Sequence, residues 1–507
     1  MSIKHKTVSG VKWQVVNKVA QKVISVATFA VLARILEPAT FGLMALSFVF
    51  IDGIGLFRAF GVDSSIVQRK DLPDIYKHTA FFLISFNGFI MCAICYLFAP
   101  FAGHFFKNPE VGSIIRALGI ILIINCSGRI SQSMLVKSLR FKETSGIEIV
   151  GSVVNSIFSI FFAWISPTVW ALVWAYVMKQ TTMTLLTQFL SPYRMKFQFD
   201  WKVAKELLNF GRYLVGLSVI WYASSQLGTV LIGRMLGTAA VGYYALSRNI
   251  INFINTHFTM LISNVMFPAY VQIKDDKSAL KRAYLKTIKF VSVFTVPFSL
   301  GMMVMSKDIC LALYGDKWLP IVPLIQLMSA VQIMAPLMAS TGSIFNACGK
   351  PQYSYRLALT NLVINVPLII ALIPKYKLYG PTFAGILTSL VISPVYYHLV
   401  KKLIGTKRHE VFPQLVPSFV CSFIMIGVVF LIKHFVLASP IFPTYHGKHF
   451  LELVVLLAVA TSTYFLSFYF IDRESFHEVR KLLFKAEGKA AVQANPEIQG
   501  DLLRETI

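Results

Sequence analysis

The sequence predicts an all-α, polytopic membrane protein of about fourteen transmembrane helices, built as two parallel six-helix repeats around a central cavity with two further helices at the C-terminal end. Three observations predict it. Hydrophobic residues make up 56% of the 507-residue chain and charged residues 14%, and the apolar residues come in blocks of membrane-spanning length. Lys and Arg collect at alternate ends of those blocks. A stretch near residue 34 recurs near residue 234.

The blocks run over residues 13–33, 43–62, 79–100, 112–135, 146–165, 167–190, 210–233, 242–268, 288–306, 320–346, 356–374, 378–400, 413–435 and 449–471. In lipid each backbone donor and acceptor must be satisfied within the segment, so the blocks are helices, and the alternating pattern of a membrane barrel is absent. Of the 48 Lys and Arg, 33 lie in or beside the N-terminal segment, the even-to-odd loops and the tail, 9 at the opposite helix ends, and 6 within the spans. This distribution puts both termini in the cytoplasm. The net charge of +25 is therefore topological, with a contribution from anionic lipid, and nucleic acid is not an expected partner.

At an offset of 200, Arg34, Leu36, Ala39, Gly42, Ala45, Leu46 and Ser47 recur as Arg234, Leu236, Ala239, Gly242, Ala245, Leu246 and Ser247. Six spans separate the copies, so both halves enter the membrane from the same side and the pseudo-symmetry axis runs along the membrane normal. The expected parts are an N-terminal lobe (1–190), a cytoplasmic linker (191–209), a C-terminal lobe (210–402), extra helices 13 and 14 (403–471) and a cytoplasmic tail (472–507). The start MSIKHK is like a signal-peptide n-region, but Lys18 and Lys22 interrupt the apolar stretch and favour a retained helix. Cys92 and Cys95 sit in an apolar helix as small hydrophobes, and no metal site is expected. The chain has no phosphate-binding glycine loop, so it is expected to use no nucleotide cofactor, and its outward loops are short for a glycan polymerase.

Polar groups inside the spans form stripes. Gln14, Lys18, Gln21, Lys22 and Ser25 share one face of the first helix, and Ser218, Tyr222, Ser225 and Thr229 share one of the seventh. Arg248, Asn252, Asn255 and Thr259 do so on the eighth, and Glu148, Ser152, Asn155 and Ser159 on the fifth. Ionisable groups at membrane depth are functional candidates, so these stripes imply a hydrated cavity. Lys18, Lys22, Arg129, Lys179, Arg248, Asn252 and Asn255 are the candidate substrate-binding residues, and Asp52 and Glu148 the candidate ion-coupling residues. The plainer readings are that Lys18 and Lys22 snorkel to the surface, that Arg34 and Arg234 anchor helix ends, and that Glu148 pairs with an intramembrane cation. Asp52 shares a face with Ala45, Gly55 and Ala59, which turns it toward another helix, for structural pairing or proton binding. Five cations against two acids favour an anionic cargo over a cationic one.

The segment LARILEPATFGLMALSFVFIDGIGLFRAFGVDSSIVQRKD resembles the first-to-third helix region of bacterial polysaccharide transporters. NFGRYLVGLSVIWYASSQLGTVLIGRMLGTAAVGYYALSRNI, with MFPAYVQIKDD after it, resembles the opening of that family's second half. ALYGDKWLPIVPLIQLMSAVQIMAPLMASTGSIFNACGKP resembles its ninth-to-tenth helix region. The resemblance, nearest to the colanic-acid, teichuronic-acid and O-antigen exporters, implies a flippase of the bacterial cytoplasmic membrane, not an enzyme. Its implied cargo is an undecaprenyl-pyrophosphate-linked oligosaccharide, moved by alternating access, with membrane lipids, a polysaccharide polymerase and a chain-length regulator as partners. A peptidoglycan-precursor flippase and a multidrug antiporter of the same superfamily are the alternatives, and an integral-membrane glycosyltransferase or polymerase is the alternative outside transport. Many relatives carry an acid just before the glycine of the second helix, where this chain reads Arg58-Ala59-Phe60-Gly61.

Overall fold

The structure, a computed structural model, describes residues 3–58, 66, 73–254, 260–437 and 448–478, whose regular secondary structure is helical, with no strand among them. They fall into two compact units, one within Met1–Gly242 and the other within Tyr243–Lys485.

The first unit holds α1 (Ile3–Ile35), α2 (Pro38–Gly55), α3 (Asp74–Phe105), α4 (Pro109–Lys137), α5 (Phe141–Ile165), α6 (Val169–Leu190) and α7 (Trp201–Leu236). It also holds the start of α8 (Thr238–Ile254). The second contains α9 (Met260–Gln272), α10 (Lys277–Ile309), α11 (Ile321–Gln332), α12 (Ala335–Met338), α13 (Thr341–Ala347), α14 (Pro351–Tyr376), α15 (Gly380–Ile404), α16 (Arg408–Ile432) and α17 (Lys448–Ile471).

Helix starts are sealed as their sequences require. Asn108 accepts a hydrogen bond from the Glu110 N–H at 3.0 Å ahead of Pro109, the first residue of α4. Asp200 accepts from the N–H groups of Lys202 and Val203 at 2.7 and 3.2 Å, and so caps α7. Both supply acceptors to donors that a helix start leaves without partners.

Nine segments among the described residues are long and apolar enough to cross a membrane, and a tenth is the bent pair formed by Ile321–Gln332 and Ala335–Ala347. The expected eleventh and twelfth spans fall together in the single stretch Pro351–Ile404. α6 forms where the sixth span is expected but falls short on apolarity, because Lys179, Gln180, Gln188 and four threonines break its hydrophobic run. The expected eighth span corresponds to α8 and α9, with 255–259 outside the described residues.

Helix pairing in the first unit uses small side chains, as it must where lipid removes the hydrophobic drive between helices. α3 packs on α4, α1 on α5, and α6 on both α4 and α5. A Cβ on Gly88 would lie 2.8 Å from that of Cys126, and one on Gly112 would lie 2.6 Å from the carbonyl oxygen of Ala99. Cys95 and Cys126 are buried and unpaired in this α3–α4 seam, the role expected of a small hydrophobe.

Two glycines of the recurring sequence stretches meet the opposite stretch within the same unit. A Cβ on Gly42 would lie 1.8 Å from the carbonyl oxygen of Thr238, and a Cβ on Gly242 would lie 2.0 Å from that of Pro38. Positions 38 and 42 thus meet 242 and 238 reciprocally.

In the second unit α10 packs on α11 and α16, α14 on α15, and α16 on α17. Asp472, just past α17, meets the Lys289 ammonium of α10 at 2.6 Å. Burial pushes its carboxyl up, but Lys289 and the hydrogen bonds from Ser475 prevail and hold it below the ordinary carboxylate range. Lys433 and Asp308 form a second ion pair.

Candidate functional site

On α1, Asn17, Gln21 and Thr28 recur at helical spacing and turn toward α5. Asn17 Nδ2 donates to Glu148 Oε2 at 2.7 Å, and Gln21 Nε2 donates to the same oxygen at 2.8 Å and to Asn17 Oδ1 at 2.6 Å. Farther along, Thr28 Oγ1 donates to Ser156 Oγ at 2.6 Å, and Ser156 Oγ donates to the Ser152 carbonyl at 2.8 Å. Two amides therefore hold one carboxylate inside an apolar helical unit, where an unsatisfied carboxylate would be expensive.

The polar arc expected on α1 is split by this packing. Gln21 faces Glu148, Lys22 is half-buried, and Lys18 and Ser25 are exposed. The side chain of Gln14 lies outside the described residues. Asn17, which the arc omitted, is buried at 3% exposure and is the second donor to Glu148. On α5 the paired residues are Glu148, Ser152 and Ser156, four residues apart, while Asn155 is half-buried and Ser159 buried.

Lys179 reaches this group from α6. A Cβ on Gly151 would lie 3.6 Å from Lys179 Cγ and 2.4 Å from Met183 Cγ, so the lysine stem crosses α5 one turn from Glu148, whose charge it feels. Its ammonium stands 5.9 Å from the Tyr176 ring centre. Gln180 Nε2 donates to Tyr176 Oη at 2.9 Å.

Arg129 of α4 donates from Nη1 to Gln132 Oε1 at 3.1 Å. The charges of Arg58 and Arg129 both act on the thiol of Cys126. Asn87 of α3 fixes the chain where α2 ends, donating to the carbonyls of Phe57 and Arg58, each at 2.8 Å. Arg58 Nε is buried without a hydrogen-bond partner. An arginine inside the apolar block 43–62 was the signal that could have placed it among the candidates.

Asp52 corrects an expectation. It is exposed, and the buried face of α2 is instead Pro38, Thr40, Gly42, Leu43, Met44, Leu46, Ser47 and Ile51. Gly55 meets the Arg58 guanidinium, at 2.8 Å from a built Cβ, and the charge of Arg58 acts on Asp52. Ala59 lies outside the described residues. On α7, Tyr222 Oη donates to the Val49 carbonyl at 2.8 Å, so this member of the seventh-helix stripe packs on α2. Ser225 is exposed and Thr229 buried.

In the second unit Arg248 is half-buried near Tyr244 and Asn252 is exposed, both on α8. Asn255 and Thr259 fall outside the described residues. Among the described residues no group of three His, Cys, Asp or Glu side chains could hold a metal ion.

The chain is similar to the lipopolysaccharide biosynthesis protein WzxC of Escherichia coli (strain K12), with 26% identity over 413 residues, 81% of this chain and 84% of that one. It is similar also to the teichuronic acid biosynthesis protein TuaB of Bacillus subtilis (strain 168), with 26% identity over 361 residues, 70% of this chain and 74% of that one. Its fold matches the lipid II flippase MurJ in an inward closed conformation at a TM-score of 0.72 and 13% identity, over 91% of this chain and 99% of that one. An inward-facing multidrug resistance MATE family transporter of the MOP superfamily matches at 0.60 and 15% identity, over 76% of this chain and 94% of that one. Over residues 31–323, more than half its length, the sequence matches the polysaccharide biosynthesis protein family, and the chain belongs to that family of membrane transporters.

Proposed function

We propose that the chain is a flippase carrying an undecaprenyl-pyrophosphate-linked oligosaccharide across the bacterial cytoplasmic membrane for surface polysaccharide synthesis. Fourteen helices cross the membrane with both termini in the cytoplasm, and two six-helix lobes alternate in exposing the cargo to either side. The observation that carries this reading is the sign of the intramembrane charge in the first unit. Lys22, Arg58, Arg129 and Lys179 stand against Asp52 and Glu148, and Arg58 keeps a buried donor without a partner.

A pyrophosphate leaving water needs replacement donors, and guanidinium groups supply them in pairs. Lys18, Lys22, Arg58, Arg129 and Lys179 of the first unit take the pyrophosphate, and Arg248, Asn252 and Asn255 of the second take sugar hydroxyls or acidic sugars. The polyprenyl chain stays in lipid. Glu148, set by Asn17 and Gln21, and Asp52, beside Arg58, couple the cycle to a proton or sodium gradient. The biosynthetic roles in the names of WzxC and TuaB support a glycan cargo. The polymerase that consumes the flipped unit and its chain-length regulator are the expected partners. Expressing the chain in a bacterium deleted for its own oligosaccharide flippase tests this: surface glycan is expected to return, and with Arg58→Gln and Arg129→Gln combined it is expected to fall to the level of the deletion.

A further inference from the structure

We propose that the first unit carries a second anion site, away from the intramembrane cluster, that holds the phosphate of a membrane lipid. A cavity of about 670 Å³ opens where α3 ends, α4 begins and α7 ends. His104, Lys107, Arg116 and Arg234 line it. With the topology proposed above, this is the outer face of the membrane, the side that the positive-inside distribution leaves poor in cations. The convergence of four basic side chains there therefore calls for a reason other than orientation.

The two arginines are held ready for a ligand. The Arg116 guanidinium lies 4.9 Å from the Tyr96 ring centre, and that of Arg234 lies 5.5 Å from the Phe105 ring centre. An aromatic face fixes the guanidinium plane and leaves its N–H edges to donate. Among the described residues none of the three cations Lys107, Arg116 and Arg234 forms an ion pair, and Glu110, exposed in the same turn, takes none of them. Gly103 and Gly112 let α3 and α4 approach closely along the floor, where a Cβ on Gly112 would lie 2.6 Å from the Ala99 carbonyl oxygen. Pro109, Gly112 and Ser113 of the first turns of α4 line the same space.

The approaches to the cavity are apolar and exposed. On α3, Phe89, Tyr96 and Leu97 are 58%, 60% and 75% exposed, and on α4 Ile120, one turn beyond Arg116, is 48% exposed. A phosphate in the cavity with an acyl or prenyl chain along these membrane-facing surfaces fits both the basic and the apolar half of the surface. The phosphate belongs either to bulk anionic phospholipid or to the polyprenyl pyrophosphate that the transporter delivers to this side. The second source rests on the proposed function; the first does not.

Native mass spectrometry of the full-length protein in detergent, titrated with dioleoylphosphatidylglycerol, undecaprenyl pyrophosphate, dioleoylphosphatidylcholine and inorganic pyrophosphate, tests the site. Both anionic lipids are expected to bind and phosphatidylcholine not to. In Arg116→Gln/Arg234→Gln the number of anionic lipids retained is expected to fall by one, with the lost site weakened at least about tenfold, as loss of hydrogen bonds to a charged group predicts. Lys202→Gln/Lys205→Gln, which removes equal charge elsewhere, is expected to change nothing. Tighter binding of undecaprenyl pyrophosphate at the site lost in Arg116→Gln/Arg234→Gln would assign the cargo as the source, and equal binding there would assign bulk lipid. Competition by inorganic pyrophosphate at the same concentration as the lipids would overturn a lipid site, as would unchanged lipid number in the double variant. Should that variant aggregate, Arg116→Lys/Arg234→Lys, which keeps the charge and loses the fork, is expected to weaken the site, and full retention there would overturn it. The readout is binding without transport, so failed export with this binding intact would count against the flippase reading alone.

Discussion

Gln21 and Glu148, 127 residues apart in sequence, are joined by a hydrogen bond of 2.8 Å from the Gln21 side-chain amide to Glu148 Oε2. Asn17 donates to the same oxygen at 2.7 Å, so a single carboxylate ties α1 to α5, and Lys179 runs past on the next helix. Glu148 can therefore be a fixed structural partner or a carboxylate whose charge changes during transport, and the two roles separate on mutation.

A fixed bridge tolerates loss of both partners better than loss of one, because the single variant leaves an uncompensated charge. Of the intramembrane cations, Lys179 is the one whose stem the structure places a turn from Glu148. The account predicts that Glu148→Gln abolishes gradient-driven transport in vesicles and that Glu148→Gln/Lys179→Met does not restore it. Recovery in the double variant would reduce Glu148 to a bridge partner.

Lys22 sits beside Gln21 on α1 and is half-buried. Replacement by Met keeps much of its volume and removes its charge. Loss of a hydrogen bond to a charged group costs about 1.5–3 kcal/mol, which is roughly ten- to a hundredfold in affinity. Surface glycan in a complemented strain is expected to fall accordingly at native protein level. Normal export would remove Lys22 from the site.

The reciprocal seating of Gly42 and Gly242 makes a contrast between two glycines. Gly42→Ala puts a methyl group where the Thr238 carbonyl oxygen lies 1.8 Å away, whereas Gly146→Ala meets nothing within 4 Å. The first is expected to destabilise the protein by about 1–3 kcal/mol, as overpacking does. The second is expected to be neutral or to gain up to about 1 kcal/mol from helix propensity. Thermal unfolding of the two purified variants, compared with the parent protein, decides it: equal midpoints would mean that the close approach is not rigid.

Orientation is read from Lys and Arg alone, and labelling tests it. In a background without native cysteines, Thr444→Cys is expected to react with an impermeant thiol reagent in intact cells and Ala494→Cys only after permeabilisation. The opposite pattern would invert the topology.

The helical class of the chain was legible in its apolar blocks, because a span must be nearly uniform along its length. α6 was legible as an apolar block of spanning length, although Lys179 and its polar neighbours lower its apolarity. Site geometry was only partly legible. Spacing places Lys18, Gln21 and Lys22 on one face of α1, but which neighbour that face meets is a tertiary fact, and the contact with α5 selects Gln21 and brings in Asn17. Asp52 was misplaced for the same reason: its face was inferred from the small residues Ala45, Gly55 and Ala59, whereas α2 buries the side that carries Gly42, Leu46 and Ser47. Arg58 was passed over because it stands at the end of its block, and only the hydrogen bonds from Asn87 show that the chain there is fixed.

The central claim is transport of a lipid-linked oligosaccharide, and reconstitution measures it directly. Purified protein in proteoliposomes holds an undecaprenyl-pyrophosphate-linked oligosaccharide with a fluorescent sugar, and an impermeant glycosidase added outside reports how much has crossed from the inner leaflet. The account predicts that cleavage rises beyond the half accessible at the start, and that Arg58→Gln/Arg129→Gln vesicles stay at the protein-free level. Cleavage that stays at half with the parent protein, under imposed proton and sodium gradients of either direction, would contradict it.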